Sequence, residues 1–248
     1  MVMIIKNLNF AYRENVIFRD LNMELPTNGV SCIMGGSGAG KTTLLNCISR
    51  QQHFDGNIEY GKEGASFAYV FQQPRLIPSM TVEDNIKFVL PKDLSEEQVE
   101  ERVNDVIIKL QLEECRKSYP SKISGGQAGR ASLARALVKD CDVLLMDEPF
   151  KGLDIKLKKE ILSLLIPLIK QKSVIFVTHD VEDALAIADR VFVFERKENS
   201  CVIIKGQIDI VQNPFENTCK ENTMQYGRDI YGEQLNHVRK EIYDLLTI

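Results

Sequence analysis

The stretch "GGSGAGKTT", residues 35–43, constrains this chain more than any other. It follows an apolar run, "VSCIM" (30–34), and leads into "LLNCISR" (44–50). Gly35, Gly36, Ser37, Gly38, Ala39, Gly40, Lys41 and Thr42 fit the pattern G-x-x-x-x-G-K-[ST], and Thr43 follows. The glycines let the backbone curl so that its N–H groups converge on phosphate oxygens. A helix that starts there adds roughly half a positive charge at its N-terminus. Lys41 adds a full charge for the β- and γ-phosphates, and Thr42 offers a hydroxyl to Mg2+. The sequence therefore predicts a strand, a phosphate-binding turn and a helix, with a nucleoside triphosphate as ligand.

Other apolar runs end in polar groups in the same way. "SFAYVFQ" (66–72) reaches Gln72, "DVLLMDEP" (142–149) surfaces at Asp147 and Glu148, and "SVIFVTHD" (173–180) ends at His179 and Asp180. Runs this apolar read as buried parallel strands. Between them, Val99, Val103, Val106, Ile107 and Leu110 recur at helical spacing in a helix from 94 to about 112, with Ser95 and Gln98 placed for a capping box. A second helix is predicted over 126–139, and a third over 155–170, where Pro167 should kink or stop it. "VMIIKNLNFAY" and "NVIFRDLNMEL" read as strands, "RVFVFER" and "CVIIKGQ" as a closing hairpin, and "GEQLNHVRKEIYDLL" as an amphipathic helix. Alternating strands and helices imply an α/β fold with a mainly parallel sheet, whose ligands bind at the carboxyl ends of strands.

Asp147 and Glu148 supply the chemistry that a triphosphate loop requires. A hard cation such as Mg2+ takes oxygen ligands, and Asp147 can hold it directly or through water. Glu148, one residue on, is placed to take a proton from an attacking water. Pro149 should hold Glu148 in an extended backbone. A second glycine pair stands in "KISGGQAGR" (122–130), with no lysine after it.

Composition narrows the class. The net charge of −4 gives no basic footprint for nucleic acid. The most apolar run, "ILSLLIPLI", has nine residues, against roughly 20 for a membrane-spanning helix. The N-terminus carries no basic, apolar and small-residue pattern of a signal peptide. The six cysteines are scattered without a CxxC, so reduced, mostly buried thiols are expected.

In order along the chain stand Tyr12, "GGSGAGKTT", Gln72 in "VFQQ", "ISGGQ", "VLLMDEP", "KGLD" and "THD". With these motifs over about 2–210, the chain resembles the nucleotide-binding subunit of ATP-binding-cassette (ABC) transporters. The resemblance implies a P-loop NTPase: a RecA-like, mainly parallel sheet with helices, an N-terminal antiparallel β part and a helical signature subdomain. It implies one ABC ATPase domain over 1–248, with the helical subdomain at about 75–138 and a short helical tail at 211–248.

It also implies roles. Tyr12 would stack on adenine, Gln72 would reach Mg2+ or the attacking water, and His179 would hold the γ-phosphate, Glu148 and water in place. Asp154 would lie across a dimer interface. Two copies would pair head to tail, so that Ser124, Gly125, Gly126 and Gln127 of one close over the ATP held by the other. This accounts for a second glycine loop without a lysine.

Further partners implied are integral membrane permease subunits and, indirectly, a separate solute-binding protein, at the cytoplasmic face of a membrane. "FQQPRLIPSMTVEDNI" (71–86) is similar to importer ATPases of the nitrate, sulfonate, taurine and thiamine-precursor group, with Ser79 where a tryptophan is usual. A soluble ABC-type ATPase, such as one in iron–sulfur cluster assembly, is the alternative. Ala128 and Gly129 depart from the family's pattern, and Gly129 costs up to about 1 kcal/mol in a helix relative to Ala.

Overall fold

The structure, a computed structural model, describes residues 2–153, 155–169, 172–197, 200–210 and 233–246. Its strands in chain order are β1 (Val2–Tyr12), β2 (Asn15–Pro26), β3 (Val30–Gly35), β4 (Asp55–Glu59), β5 (Phe67–Val70), β6 (Val143–Asp147), β7 (Ser173–Val177), β8 (Arg190–Glu195) and β9 (Ile203–Asp209). Its α-helices are α1 (Lys41–Ile48), α2 (Val82–Lys87), α3 (Glu96–Lys109), α4 (Gly125–Leu137), α5 (Ile155–Ile169), α6 (Val181–Ile187) and α7 (Glu233–Leu246).

Two sheets result. The first is antiparallel, in the order β2-β1-β4. The second has the order β5-β6-β7-β3-β8-β9 and is parallel except for the closing β8–β9 hairpin. Side chains alternate across each strand. Ile33, Leu145, Ile175, Val177, Phe192 and Phe194 therefore pack towards α1 and the first sheet, with Met3, Ile5, Phe18, Leu44 and Leu45. Cys32, Met34, Leu144, Met146, Phe176 and Val193 face the opposite way, towards the remaining helices. Burial on both faces explains why β3, β6 and β7 are uniformly buried.

Helix ends follow local chemistry. The Ser95–Gln98 capping box forms as expected and starts α3. A second box, Thr81 with Asp84, starts α2, a helix that the apolar periodicity did not reveal. Its signature, a Thr three residues before an acid, is in the sequence. The short α6 and strand β4 were likewise not anticipated. Helix α5 ends two residues after Pro167. In α7, Ile242 is fully buried, and Leu235, Val238 and Leu245 pack against the same core. The start of the expected C-terminal tail, 211–232, lies outside the described residues. Among the described residues, no helix is long and apolar enough to cross a membrane. Cys32, Cys47, Cys115, Cys141 and Cys201 are free thiols; Cys219 lies outside the described residues.

Candidate functional site

The register of three parallel strands assembles the site. Ile33 of β3 pairs with Val177 of β7, and Val177 also pairs with Asp147 of β6. The carboxyl ends of these strands therefore lie side by side. The glycine loop leaves β3, Glu148 leaves β6, and Thr178 and His179 leave β7, all at one edge of the sheet. This is where a parallel sheet binds its ligand.

Within the loop, Lys41 Nζ donates to the carbonyls of Gly35 at 2.7 Å and Gly36 at 2.8 Å. Burial lowers the Lys41 pKa, while the charges of Glu148 and Asp147 oppose that shift. Gly36, Ser37 and Gly38 are exposed, and Ala39 is buried under the first sheet. Gly40 has φ +75°, and a Cβ there would lie 3.0 Å from both Ile17 and Val202. Only glycine combines that conformation with so close an approach. Thr42 Oγ1 donates to Asp147 Oδ2 at 2.7 Å, and Thr43 is buried at the base of α1. Asp147 is 4% exposed; burial raises its pKa, against the Thr42 hydrogen bond. Thr42 and Asp147 thus offer a hydroxyl and a carboxylate side by side, hard oxygen donors suited to Mg2+.

Glu148 does not adopt the extended backbone expected from Pro149. Its φ is +49°, in the left-handed region. The surroundings override the proline: the Glu148 N–H donates to Val177 O at 2.9 Å, and the Lys151 N–H donates to Glu148 O at 3.2 Å. The strand is thereby turned sharply, a strained geometry typical of functional sites. The carboxylate then meets His179, whose Nδ1 lies 3.1 Å from Oε1. An ionised carboxylate only accepts, so Nδ1 carries the proton. Lys151 Nζ lies 3.1 Å from Oε2, a contact the sequence reading missed. Partial burial opposes ionisation of Glu148, but Lys151 and His179 outweigh it and lower the pKa.

Other expected site residues stand further off. Gln72 is exposed, two residues beyond β5, the sheet neighbour of β6. The segment after it is held from α4: Arg135 donates to the carbonyls of Pro74 and Arg75, both at 3.0 Å. Asn85 of α2 is fully buried and donates to the carbonyls of Ile77, Met80 and Thr81. Tyr12 is 44% exposed at the tip of the β1–β2 hairpin, edge-on to Phe10. The same hairpin supplies Ile17 and Phe18 beside Gly40.

Ser124 caps α4 in a third capping box. Its Oγ accepts the Gln127 N–H at 3.2 Å, and Gln127 Oε1 accepts the Ser124 N–H at 2.9 Å. Among the described residues, Ser124–Gln127 makes no hydrogen bond to the 35–43 loop of its own chain. A Cβ at Gly125, Gly126 or Gly129 would meet nothing within 4 Å. Nothing in the structure explains Gly129. Asp154, expected at a dimer interface, lies outside the described residues.

Comparison with known proteins bears on this arrangement. The family described as ABC transporter matches residues 18–151, more than half of the chain. The aliphatic sulfonates import ATP-binding protein SsuB of Bacillus cereus is 32% identical over 234 residues, covering 91% of this chain and 86% of that protein. The sulfate/thiosulfate import ATP-binding protein CysA of Halalkalibacterium halodurans is 34% identical over 87% of this chain; the chain spans 62% of that relative. A dimeric bacterial ABC transporter cassette superposes with a TM-score of 0.74 at 26% identity, covering 85% of this chain and 99% of the other. A dimeric post-hydrolysis ATP-binding cassette bound to ADP and Pi gives a TM-score of 0.72, also at 26% identity. With the loop, the paired carboxylates and the histidine at one sheet edge, the chain belongs to the ABC transporter family, as an ATP-binding cassette.

Proposed function

We infer that this chain hydrolyses ATP as one half of a head-to-tail homodimer and so drives an integral membrane permease that imports a small solute. The observation that carries the reading is the convergence of two pairs, Thr42 with Asp147 and Glu148 with His179, at the mouth of the glycine loop. The relatives named as import ATP-binding proteins for sulfate, thiosulfate and sulfonates support a small oxyanion as the solute class. They do not favour the soluble assembly ATPase, which is not carried forward.

The chain's residues divide the work. The 35–43 backbone and Lys41 grip the β- and γ-phosphates, and Tyr12 stacks on adenine, an interaction worth about 1–3 kcal/mol in comparable base-stacking sites. Thr42 and Asp147 would hold Mg2+, with Gln72 as a further ligand from the segment after β5, and the bound cation would neutralise phosphate charge. Glu148 accepts the proton of the attacking water at Oε1 or Oε2, and His179 orients its carboxylate. Ser124 serves the partner's nucleotide. Because its Oγ accepts from Gln127, its own proton is left to donate outward, beside the α4 N-terminus. Asp154 contributes to the interface between copies.

The helices from about 75 to 138 form the subdomain that presents Ser124 to the partner and the 71–86 surface to the permease. The chain sits at the cytoplasmic membrane face through the permease, with a separate solute-binding protein upstream. The reading is tested with Glu148→Gln. ATP binding is retained and turnover falls by roughly 10²–10⁴-fold, the scale for loss of a general base. Unchanged phosphate release would remove Glu148 from its role.

A further inference from the structure

Beneath His179 lies an ionic cluster that the proposed chemistry does not use. Lys158, in the first turns of α5, reaches Asp180 Oδ2 at 2.7 Å and also pairs with Asp183. Asp180 directly follows His179 and caps α6, and Asp183 stands in the first turn of that helix. Asp183 is 5% exposed and Thr178 2%. Thr178 Oγ1 donates to Asp183 Oδ2 at 3.1 Å and accepts the Asp180 N–H, also at 3.1 Å. Asp180 Oδ1 accepts the Glu182 N–H at 2.9 Å and so caps α6. The residues on either side of His179 are therefore pinned to one ammonium group. The His179 side chain, 65% exposed, projects from that base to Glu148.

Burying the Asp183 carboxylate against a partly buried ammonium is costly, and well-packed apolar residues of similar volume often stabilise a fold equally well. What such a cluster adds is a fixed position. Rotation of the 178–183 turn would separate Lys158 from a buried acid, so the turn has one favoured placement. We propose that Lys158 is a positioning residue for His179: its ammonium locks the turn to α5 and thereby sets where the imidazole meets Glu148. The placement of the imidazole against Glu148 in turn bears on turnover. This consequence for turnover rests on the ATPase reading above; the positioning itself does not.

The test is a double-mutant cycle read by NMR on the full chain with labelled histidine. The chain has three histidines, His53, His179 and His237, so His179→Ala assigns the signal. In the wild type, Glu148→Gln moves the His179 imidazole resonances, because the two groups touch. In Asp180→Asn and Lys158→Gln backgrounds the same substitution moves them much less, and Lys158→Arg restores most of the response. Asn caps a helix as well as Asp, so Asp180→Asn keeps α6 and decides the matter even where Lys158→Gln does not fold. The kcat for Mg-ATP falls about tenfold in Asp180→Asn with KM nearly unchanged, as expected for a misplaced group. An equal Glu148→Gln response in all backgrounds overturns the proposal. A wild-type chain that hydrolyses no ATP instead overturns the ATPase reading, and the NMR cycle still decides the positioning.

Discussion

Thr42 and Asp147 are 105 residues apart in the chain, yet the threonine hydroxyl donates to the carboxylate at 2.7 Å. One begins a helix and the other ends a strand. Their contact joins the phosphate loop to the acidic pair and sets a hydroxyl beside a carboxylate, oxygen ligands of the kind a divalent cation takes.

Thr42→Val removes one donor of this pair while nearly keeping side-chain volume. The Mg2+ concentration for half-maximal ATP hydrolysis should rise roughly tenfold, about 1.4 kcal/mol of lost cation binding. A titration of phosphate release against Mg2+ at fixed ATP measures it. An unchanged midpoint would detach Thr42 from the cation.

Ser124→Arg separates the loop's own nucleotide from the partner's. Among the described residues, the Ser124–Gln127 segment makes no hydrogen bond to the 35–43 loop of its own chain. Binding of a fluorescent ATP analogue to the monomer should therefore stay within about twofold, while hydrolysis is lost through the added bulk and charge at the interface. Loss of monomer binding would show that Ser124 acts within its own chain.

Glu83 makes a pH-dependent contribution to stability. Its side chain is 2% exposed and pairs with Arg116, Lys117 and Lys87. Hydrogen bonds from Arg116, helped by the two lysines, hold its pKa far below the ordinary carboxylate value, although burial acts the other way. A depressed folded pKa gives stability that is present above the unfolded pKa of about 4.3 and lost as pH falls below it. Glu83→Ala should cost about 3 kcal/mol near neutral pH, since Arg116 loses its carboxylate partner and keeps only the Asn104 side-chain oxygen among the described contacts. Thermal melts at falling pH should show the gap between wild type and variant closing below about pH 5. A gap constant with pH would refute the charge-based account.

Much of this was legible because it is local. The glycine loop announces itself in eight residues, and Ser95 with Gln98 marks a helix start by spacing alone. Glu148 shows where local reasoning fails. Pro149 favours an extended backbone before it, but hydrogen bonds to Val177 and from Lys151 impose a positive φ. Lys158 was equally invisible, because nothing in "IKLKKEI" distinguishes a half-buried ion-paired lysine from solvated neighbours.

The sequence by itself determined which groups could do chemistry and on which elements they sit, since loops, caps and apolar runs are short-range patterns. The tertiary structure decided which of them meet. Strand order β5-β6-β7-β3 and the pairing of Val177 with both Ile33 and Asp147 bring three distant strand ends together. Such order follows from burying both sheet faces at once, a long-range condition that no single stretch of sequence carries.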